Sequence, residues 1–393
     1  MIKRELNLLK VLGKKTSAFL FGARGVGKTH LAGEFLASIK SPIRVDLLNA
    51  ADFTRFLTDP GLLELEVEAA LKKTTPLIVF IDEVQKLPAL LDVVHRLIEL
   101  HKGNLRFLLS GSSARKLKRG GANLLAGRAL TLKLHPLTSR EVDFDLRQVL
   151  QIGSLPGILL GNEQPELSLK SYVATYLKEE ILQEAIVRRI DNFARFLEFA
   201  GQYHAEEINA SKLAKAVNLS PATVLGYFQI LEDTLLGFRL PGWNSSTKKQ
   251  LRTTPKFYLF DNGVANALRG ELRTELRESS SRFGKLFEAL IVQEAFRLND
   301  YKDLDLKFSY WKTNSGQEVD LIVSRGLQQP LAAIEIKSGT APDSADCKGL
   351  AVFAEEYPRV PRYCFSRTPR AYTIGDRVEV LPWKDGLALV ASL

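Results

Sequence analysis

The chain has 393 residues, of which 45% are hydrophobic and 25% charged, with a formal net charge of +9. That composition is soluble and globular, the length calls for roughly two to four domains, and the surplus of Lys and Arg favours polyanionic partners. Two cysteines and five scattered histidines argue against a zinc site or a disulfide framework, and no apolar run reaches the length of a membrane span. The N-terminal MIKRELNLLKVLGKK is charged throughout and the SAFLF after it is too short for a leader, so a cytoplasmic protein with no membrane partner is expected.

Through residue 140, short apolar runs at Ser17–Phe21, Ile43–Leu48, Leu77–Asp82, Leu105–Ser110 and Ala129–Leu134 alternate with amphipathic helical patterns. This predicts an α/β domain with a parallel sheet covered on both faces. Directly after the first run comes GARGVGKT: Gly22, Ala23, Arg24, Gly25, Val26, Gly27, Lys28 and Thr29. It fits G-x-x-x-x-G-K-[ST] between a strand and a helix, where backbone amides and the helix dipole favour phosphate oxygens. Lys28 is expected to reach the β- and γ-phosphates of ATP and the Thr29 hydroxyl to ligate Mg²⁺.

LIVFIDEVQKL places Asp82 and Glu83 at the end of a continuously apolar strand, hence at the ligand edge of a parallel sheet. Asp82 is expected to hold Mg²⁺ through water and Glu83 to act as general base. LRFLLSGSS ends near Ser110, where a polar side chain can sense the γ-phosphate, although Ser after a strand is also ordinary turn chemistry. ARKLKRGGANLLAGR, from Ala114 to Arg128, is basic without an acid; it reads either as a solvated loop or as the source of an arginine finger, with Arg128 and Arg115 the candidates. A finger of that kind implies a homo-oligomer, such as a ring.

From 141 to 200 the pattern turns helical, interrupted by GSLPG, and Ile208–Leu236 reads helix, turn, helix with Ser220 and Pro221 opening the second helix. The stretch after it, LPGWNSSTKKQLRTTPKFYLF, reads as a hairpin, so residues 201–256 are expected to form a winged helix or a structural connector. The second helix carries no Lys or Arg from Ala222 to Leu235 and contains Glu232 and Asp233, which speaks against sequence-specific DNA reading. Lys248, Lys249, Arg252 and Lys256 on the wing are the expected phosphate contacts, and DNA binding is expected to be independent of sequence.

Near the C-terminus, AAIEIKSG sets Glu335 and Lys337 on one face of an apolar strand. A cross-strand salt bridge is one reading. The other is a metal site: EVDLIV supplies Asp320, a preceding helix supplies Glu288, and if the two strands form a hairpin, Asp320 lies beside Glu335. The pair would share Mg²⁺ or Mn²⁺ with the Ile336 carbonyl, and Lys337 would orient or deprotonate a water for attack on a phosphodiester.

The order of an acid on a helix, then D, then E-x-K resembles the PD-(D/E)xK, restriction-endonuclease-like superfamily. GARGVGKT, FIDEVQKL, LSGSS, LAGR, GSLPG, YLFDNGVANAL, FEALIV, EVDLIV and IEIKSG, in that order, resemble a prokaryotic AAA-type ATPase family that spans the whole chain and whose members mostly have no known role. The resemblance implies an ATPase domain at 1–140, a helical lid at 141–200, the winged helix at 201–256 and a nuclease-like α/β domain at 257–393. The expected activity is ATP hydrolysis coupled to DNA handling; a nucleotide-gated switch whose C-terminal domain only binds a partner is the rival.

Overall fold

The runs SAFLF and LIVFID, apolar but for Ser17 and Asp82, become strands with every residue buried, as strands covered on both faces require. The computed structural model describes residues 2–13, 16–112, 125, 127–161, 164–177, 190–244, 253–326, 329–375 and 377–393. The chain divides into two compact units, the first built on Met1–Leu137, with Asp233–Leu236 returning to it, and the second running from Thr138 to Leu393.

In the first unit, β1 (Ser17–Phe21), β2 (Ile43–Asp46), β3 (Leu77–Asp82), β4 (Leu105–Gly111) and β5 (Ala129–Lys133) form one sheet in the order β2-β3-β4-β1-β5. All four pairings are parallel. The helices are α1 (Leu8–Leu12), α2 (Lys28–Ala37), α3 (Ala50–Thr58), α4 (Leu62–Leu71) and α5 (Leu90–Leu100). Phe19, Phe21, Val79, Ile81, Phe107 and Leu109 form a core with Phe56, Val67 and Leu97 of the helices. The expected strands are all present, with the second two residues shorter than its apolar run.

The second unit opens with α6 (Leu146–Ile152), α7 (Pro156–Leu159), α8 (Pro165–Ser171) and α9 (Ile190–Gln202), followed by α10 (Ala210–Val217) and α11 (Pro221–Asp233). Ser220 Oγ accepts the Thr223 amide at 3.1 Å, so the cap read from Ser-Pro starts α11. Val224, Tyr227, Phe228 and Leu231 bury one side of α11, and Phe196 packs edge-on to Tyr227 and Phe228. β7 (Gly237–Leu240) and β8 (Lys256–Leu259) pair antiparallel, with β6 (Glu206–Glu207) on the other side of β8.

After α12 (Asn262–Arg269) and the 22-residue α13 (Ser281–Lys302), six strands form the last sheet. They are β9 (Lys307–Lys312), β10 (Glu318–Ser324), β11 (Ala332–Lys337), β12 (Arg362–Ser366), β13 (Tyr372–Ile374) and β14 (Val378–Pro382), in the order β13-β14-β12-β11-β10-β9. β10 runs antiparallel to both β9 and β11, and β12 runs parallel to β11. Leu286, Phe287, Leu290 and Ile291 of α13 cover one face through Leu321, Val323, Ile334 and Ile336. Leu350 and Phe353 of α14 (Lys348–Glu356) cover the other through Trp311, Val319, Ile322 and Ala333, and α15 (Trp383–Val390) closes the chain.

GSLPG and YLFDNGVANAL meet here as a structural clasp. Asp261 caps α12 through the Val264 amide at 3.1 Å and accepts the Ser154 amide at 2.7 Å. A Cβ at Gly153, whose φ is +75°, would fall 1.9 Å from Asp261 Oδ1, so only glycine fits. Arg297 then ties Ser154 Oγ (3.0 Å), Glu294 (3.3 Å) and the Phe260 carbonyl (2.9 Å) together in the interior.

Candidate functional site

At the C-terminal end of β1 the chain turns sharply through Gly22, where a Cβ would lie 2.4 Å from the Leu134 carbonyl oxygen. It enters α2 through Gly27 at φ +95°, a left-handed conformation that favours glycine. The turn leaves the first amides of α2 at the sheet edge, where unpaired N–H groups attract anions. Ala23 and Val26 are buried beneath the loop while Arg24 and Gly25 face outward. Lys28 is buried and donates to the Gly22 and Ala23 carbonyls at 2.7 and 3.2 Å. Arg4 holds the loop from behind, bonding the Val26 carbonyl at 2.8 Å and the His135 carbonyl at 2.7 Å. Nothing in the sequence pointed to Arg4, because its partners lie far along the chain.

β3 delivers the acids and β4 a hydroxyl. Thr29 Oγ1 donates to Asp82 Oδ2 at 3.0 Å, and Ser110 Oγ bonds the other carboxylate oxygen. Asp82 is thus held between the hydroxyls of the loop and of β4. Glu83 takes a left-handed backbone, φ +57° and ψ +45°, rare for a residue with a side chain and found at sites held by their surroundings. Its amide donates to Ser110 Oγ at 3.2 Å, and its carboxylate accepts from Gln85 Nε2. Gln85 was not foreseen; a Cβ at Gly111 would fall 2.5 Å from its Oε1, so the side chain is seated against β4. Lys28, Thr29, Asp82, Glu83 and Ser110 therefore converge on one edge of the sheet.

Arg128, one of the two candidate fingers, does not join them. Arg128 precedes β5, which starts level with Ser17, so it lies at the opposite edge, about one five-residue strand or ~16 Å away. There its Nε pairs with Glu99. Arg115 lies outside the described residues, as do Lys248, Lys249 and Arg252 of the expected wing.

A second charged cluster lies in the second unit. Leu321 faces Ile334 across the β10–β11 pair, and this register sets Asp320 opposite Glu335. Asp320 accepts the Ile336 amide at 2.7 Å, and Lys337 Nζ lies 2.7 Å from Glu335 Oε1. Glu335 Oε2 is buried and has no hydrogen-bond partner among the described residues. Burial pushes the Asp320 carboxyl well above its ordinary range, with the charges of Glu335 and Glu288 adding to it. Burial likewise raises the Glu335 carboxyl to about 7 against the pull of Lys337. Despite its own burial, Lys337 is held charged by Glu335 and Asp320.

Glu288 occupies this neighbourhood from α13 but is bound elsewhere: Tyr258 donates to it at 2.7 Å and Lys256 at 3.1 Å. Lys256 corrects the sequence reading, which set it on the wing as a phosphate contact. It is buried beside Glu288 and Glu318, and its ammonium sits 5.5 Å from the centre of the Tyr310 ring. The alternation of KFYL could not reveal this, because the partners come from α13 and β10. Among the described residues no group of three or more His, Cys, Asp or Glu is placed to hold a metal ion. Cys347 and Cys364, distant in sequence, share a hydrogen bond beside Glu335. No helix among the described residues is long and apolar enough to cross a membrane.

Residues 14–143 match the family described as AAA domain. Residues 143–300 and 283–385 match two families each described as a domain of unknown function, DUF8612 and DUF4143. The chain is 28% identical over 319 residues to uncharacterized proteins of Mycobacterium tuberculosis and Mycobacterium bovis, covering 80% of this chain and 69% of each relative. It is 23% identical over 292 residues to an uncharacterized protein of Haemophilus influenzae, covering 67% of this chain and 72% of the relative. The AAA match, the five-stranded parallel sheet and the glycine loop at its edge agree on a P-loop NTPase-like core in the first third of the chain.

Proposed function

We propose that the protein binds and hydrolyses ATP at the Gly22–Thr29 loop and couples turnover to work on DNA, through a winged helix and a C-terminal nuclease-like domain. The observation that carries the first half is the convergence of Lys28, Thr29, Asp82, Glu83 and Ser110 on one sheet edge. Backbone amides of the loop and the first turn of α2 hold phosphate oxygens, and Lys28 exchanges its two loop carbonyls for them. Thr29 and Asp82, already 3.0 Å apart, are the hard oxygen donors that suit Mg²⁺, and the ion when bound offsets phosphate charge. Glu83, fixed by Gln85, takes the proton from the attacking water. Ser110 ties Asp82 to the Glu83 backbone, so a change at one carboxylate is felt at the other.

In the second unit the orphaned, buried Glu335 Oε2 and the raised carboxyls of the facing pair suit one shared cation. Asp320, Glu335 and the Ile336 carbonyl would hold Mg²⁺ or Mn²⁺, which would supply charge neutralisation at a phosphodiester. Lys337, held as an ammonium, would orient the water there. The net charge of +9 favours sequence-independent DNA contact. Arg128, at the edge away from its own loop, suits a finger that acts on a neighbouring subunit of a homo-oligomer.

One observation favours the rival reading, a nucleotide-gated switch with an uncatalytic C-terminal module: Lys337 already neutralises Glu335, and Lys256 neutralises Glu288. Incubation with duplex, single-stranded and branched DNA, with and without ATP and Mg²⁺ or Mn²⁺, separates the two. DNA-stimulated hydrolysis with metal-dependent cutting supports the proposal; nucleotide-dependent partner binding with neither supports the switch.

A further inference from the structure

The carboxylates around Asp320 outnumber the ammonium groups among them. Glu288 of α13, Glu318 and Asp320 of β10 and Glu335 of β11 bring four acids, whereas Lys256 of β8 and Lys337 of β11 bring two bases. Lys312 reaches Glu318 at 3.4 Å but is also paired with Glu207, so it adds no surplus. With every group ionised the cluster is short of two positive charges, the charge of one divalent cation. The two bases are not shared evenly. Lys337 Nζ lies 2.7 Å from Glu335 Oε1 and leaves Oε2 buried without a hydrogen-bond partner among the described residues. Lys256 instead serves two acids, Glu288 at 3.1 Å and Glu318, while the Tyr258 hydroxyl donates to the same Glu288 oxygen at 2.7 Å.

We propose that the Lys256 ammonium is a built-in stand-in for a cation, bridging Glu288 and Glu318 as a divalent ion bridges acids, so that Glu288 is not a ligand of the ion the cluster takes up. Acids this close repel one another unless a positive charge lies between them. An ammonium suits that place, being a compact point charge with three donors. Lys256 is buried, with its ammonium 5.5 Å from the centre of the Tyr310 ring, so the pairing is sheltered from solvent screening. Because it is part of the chain, the bridge is present whether or not metal is supplied. The two missing charges then belong on the other side of Asp320, where Glu335 keeps an oxygen unpaired. That placement of the ion rests on the reading of Asp320 and Glu335 as a cation site; the bridge by Lys256 does not.

Lys256→Met keeps the length of the side chain and removes its charge. Mn²⁺ alone is titrated into the full chain by calorimetry, without nucleotide or DNA, and melting temperatures are compared in Mn²⁺ and in EDTA. Lys256→Met is expected to bind Mn²⁺ about tenfold more tightly than the wild type and to gain more in melting temperature from it, because the ion replaces the lost charge. Lys285→Met, which removes a charge one turn away on α13 that is paired with Glu206, is expected to change neither. Mn²⁺ affinity in Lys256→Met equal to the wild type's, or matched by Lys285→Met, overturns the proposal and leaves Lys256 a structural partner of Glu288. Glu288→Gln keeps the side-chain shape and decides the point if Lys256→Met does not fold: the wild-type heat of Mn²⁺ binding is expected, and its loss makes Glu288 a ligand and overturns the proposal. Uptake of Mn²⁺ by Lys256→Met but not by the wild type supports the bridge while removing the Asp320–Glu335 site, so the two failures are told apart.

Discussion

The loop at the edge of the first sheet and the cluster between β10 and β11 both gather acids around lysines, yet they are built differently. At the loop, Asp82 is held by two neutral hydroxyls and Lys28 by two backbone carbonyls, so the positions are set by the backbone turn and two adjacent strand ends. In the cluster, Asp320 and Glu335 face each other inside the protein, with Lys256 and Lys337 paired to Glu288 and Glu335. A backbone-built site keeps its geometry whatever its charge state. A side-chain-built site couples its geometry to protons and cations.

The largest effect that can break this contrast is on cutting. Asp320→Asn and Glu335→Gln should each abolish metal-dependent cleavage and the heat of Mn²⁺ binding, whereas Lys337→Ala should lose cleavage and keep the heat. Hydrolysis of ATP should be unmoved by all three. If instead Mn²⁺ affinity is unaltered and Glu335→Gln and Lys337→Ala melt far lower, Glu335 and Lys337 are a structural ion pair whose breakage costs about 3–5 kcal/mol.

Next comes assembly. Arg128→Ala and Glu83→Gln should each lower ATP turnover by about 10²-fold or more, and mixing them should restore a fraction, because each brings what the other lacks to a shared interface. A strict monomer by light scattering in ATP, or mixing without recovery, removes Arg128 from the mechanism and leaves it as the partner of Glu99.

A smaller effect concerns pH. The Glu335 carboxyl is raised from 4.5 to about 7 in the folded protein, so between those values the folded state binds more protons than the unfolded one. Stability should therefore fall as pH rises through that window and level off above it, by at most about 3 kcal/mol for this group. Urea unfolding at pH 5 and pH 8 measures the drop, Mn²⁺ should reduce it, and Glu335→Gln should flatten it. A wild-type stability that rises over the same interval contradicts the burial of this pair as charged neighbours.

How much of each site could be read from sequence follows the same contrast. GARGVGKT and FIDE are contiguous, and their geometry is imposed by local rules: a glycine where a Cβ would meet Leu134, a left-handed entry into α2, an apolar strand ending in acids. The central strands β1, β3 and β4 were legible because buried parallel strands are nearly continuously apolar. Lys256, Tyr258 and the Cys347–Cys364 contact were not, because their partners arrive from other elements, and alternation along KFYL says which face a residue takes but not which acid waits there. Arg4 escaped for that reason too, and Gln85 because the β4 surface at Gly111 that seats it lies far along the chain. GSLPG and DNG stood out in the sequence, but only the packing of Gly153 against Asp261 reveals a clasp.

The central claim is that the loop is an ATP-hydrolysing site, and phosphate release from ATP by the wild type and Lys28→Ala, with nucleotide binding measured alongside and Glu83→Gln as a companion, tests it most directly. The account predicts Mg²⁺-dependent release by the wild type, none detectable from Lys28→Ala with weakened nucleotide binding, and retained binding without turnover in Glu83→Gln. Wild-type rates in Lys28→Ala would contradict it.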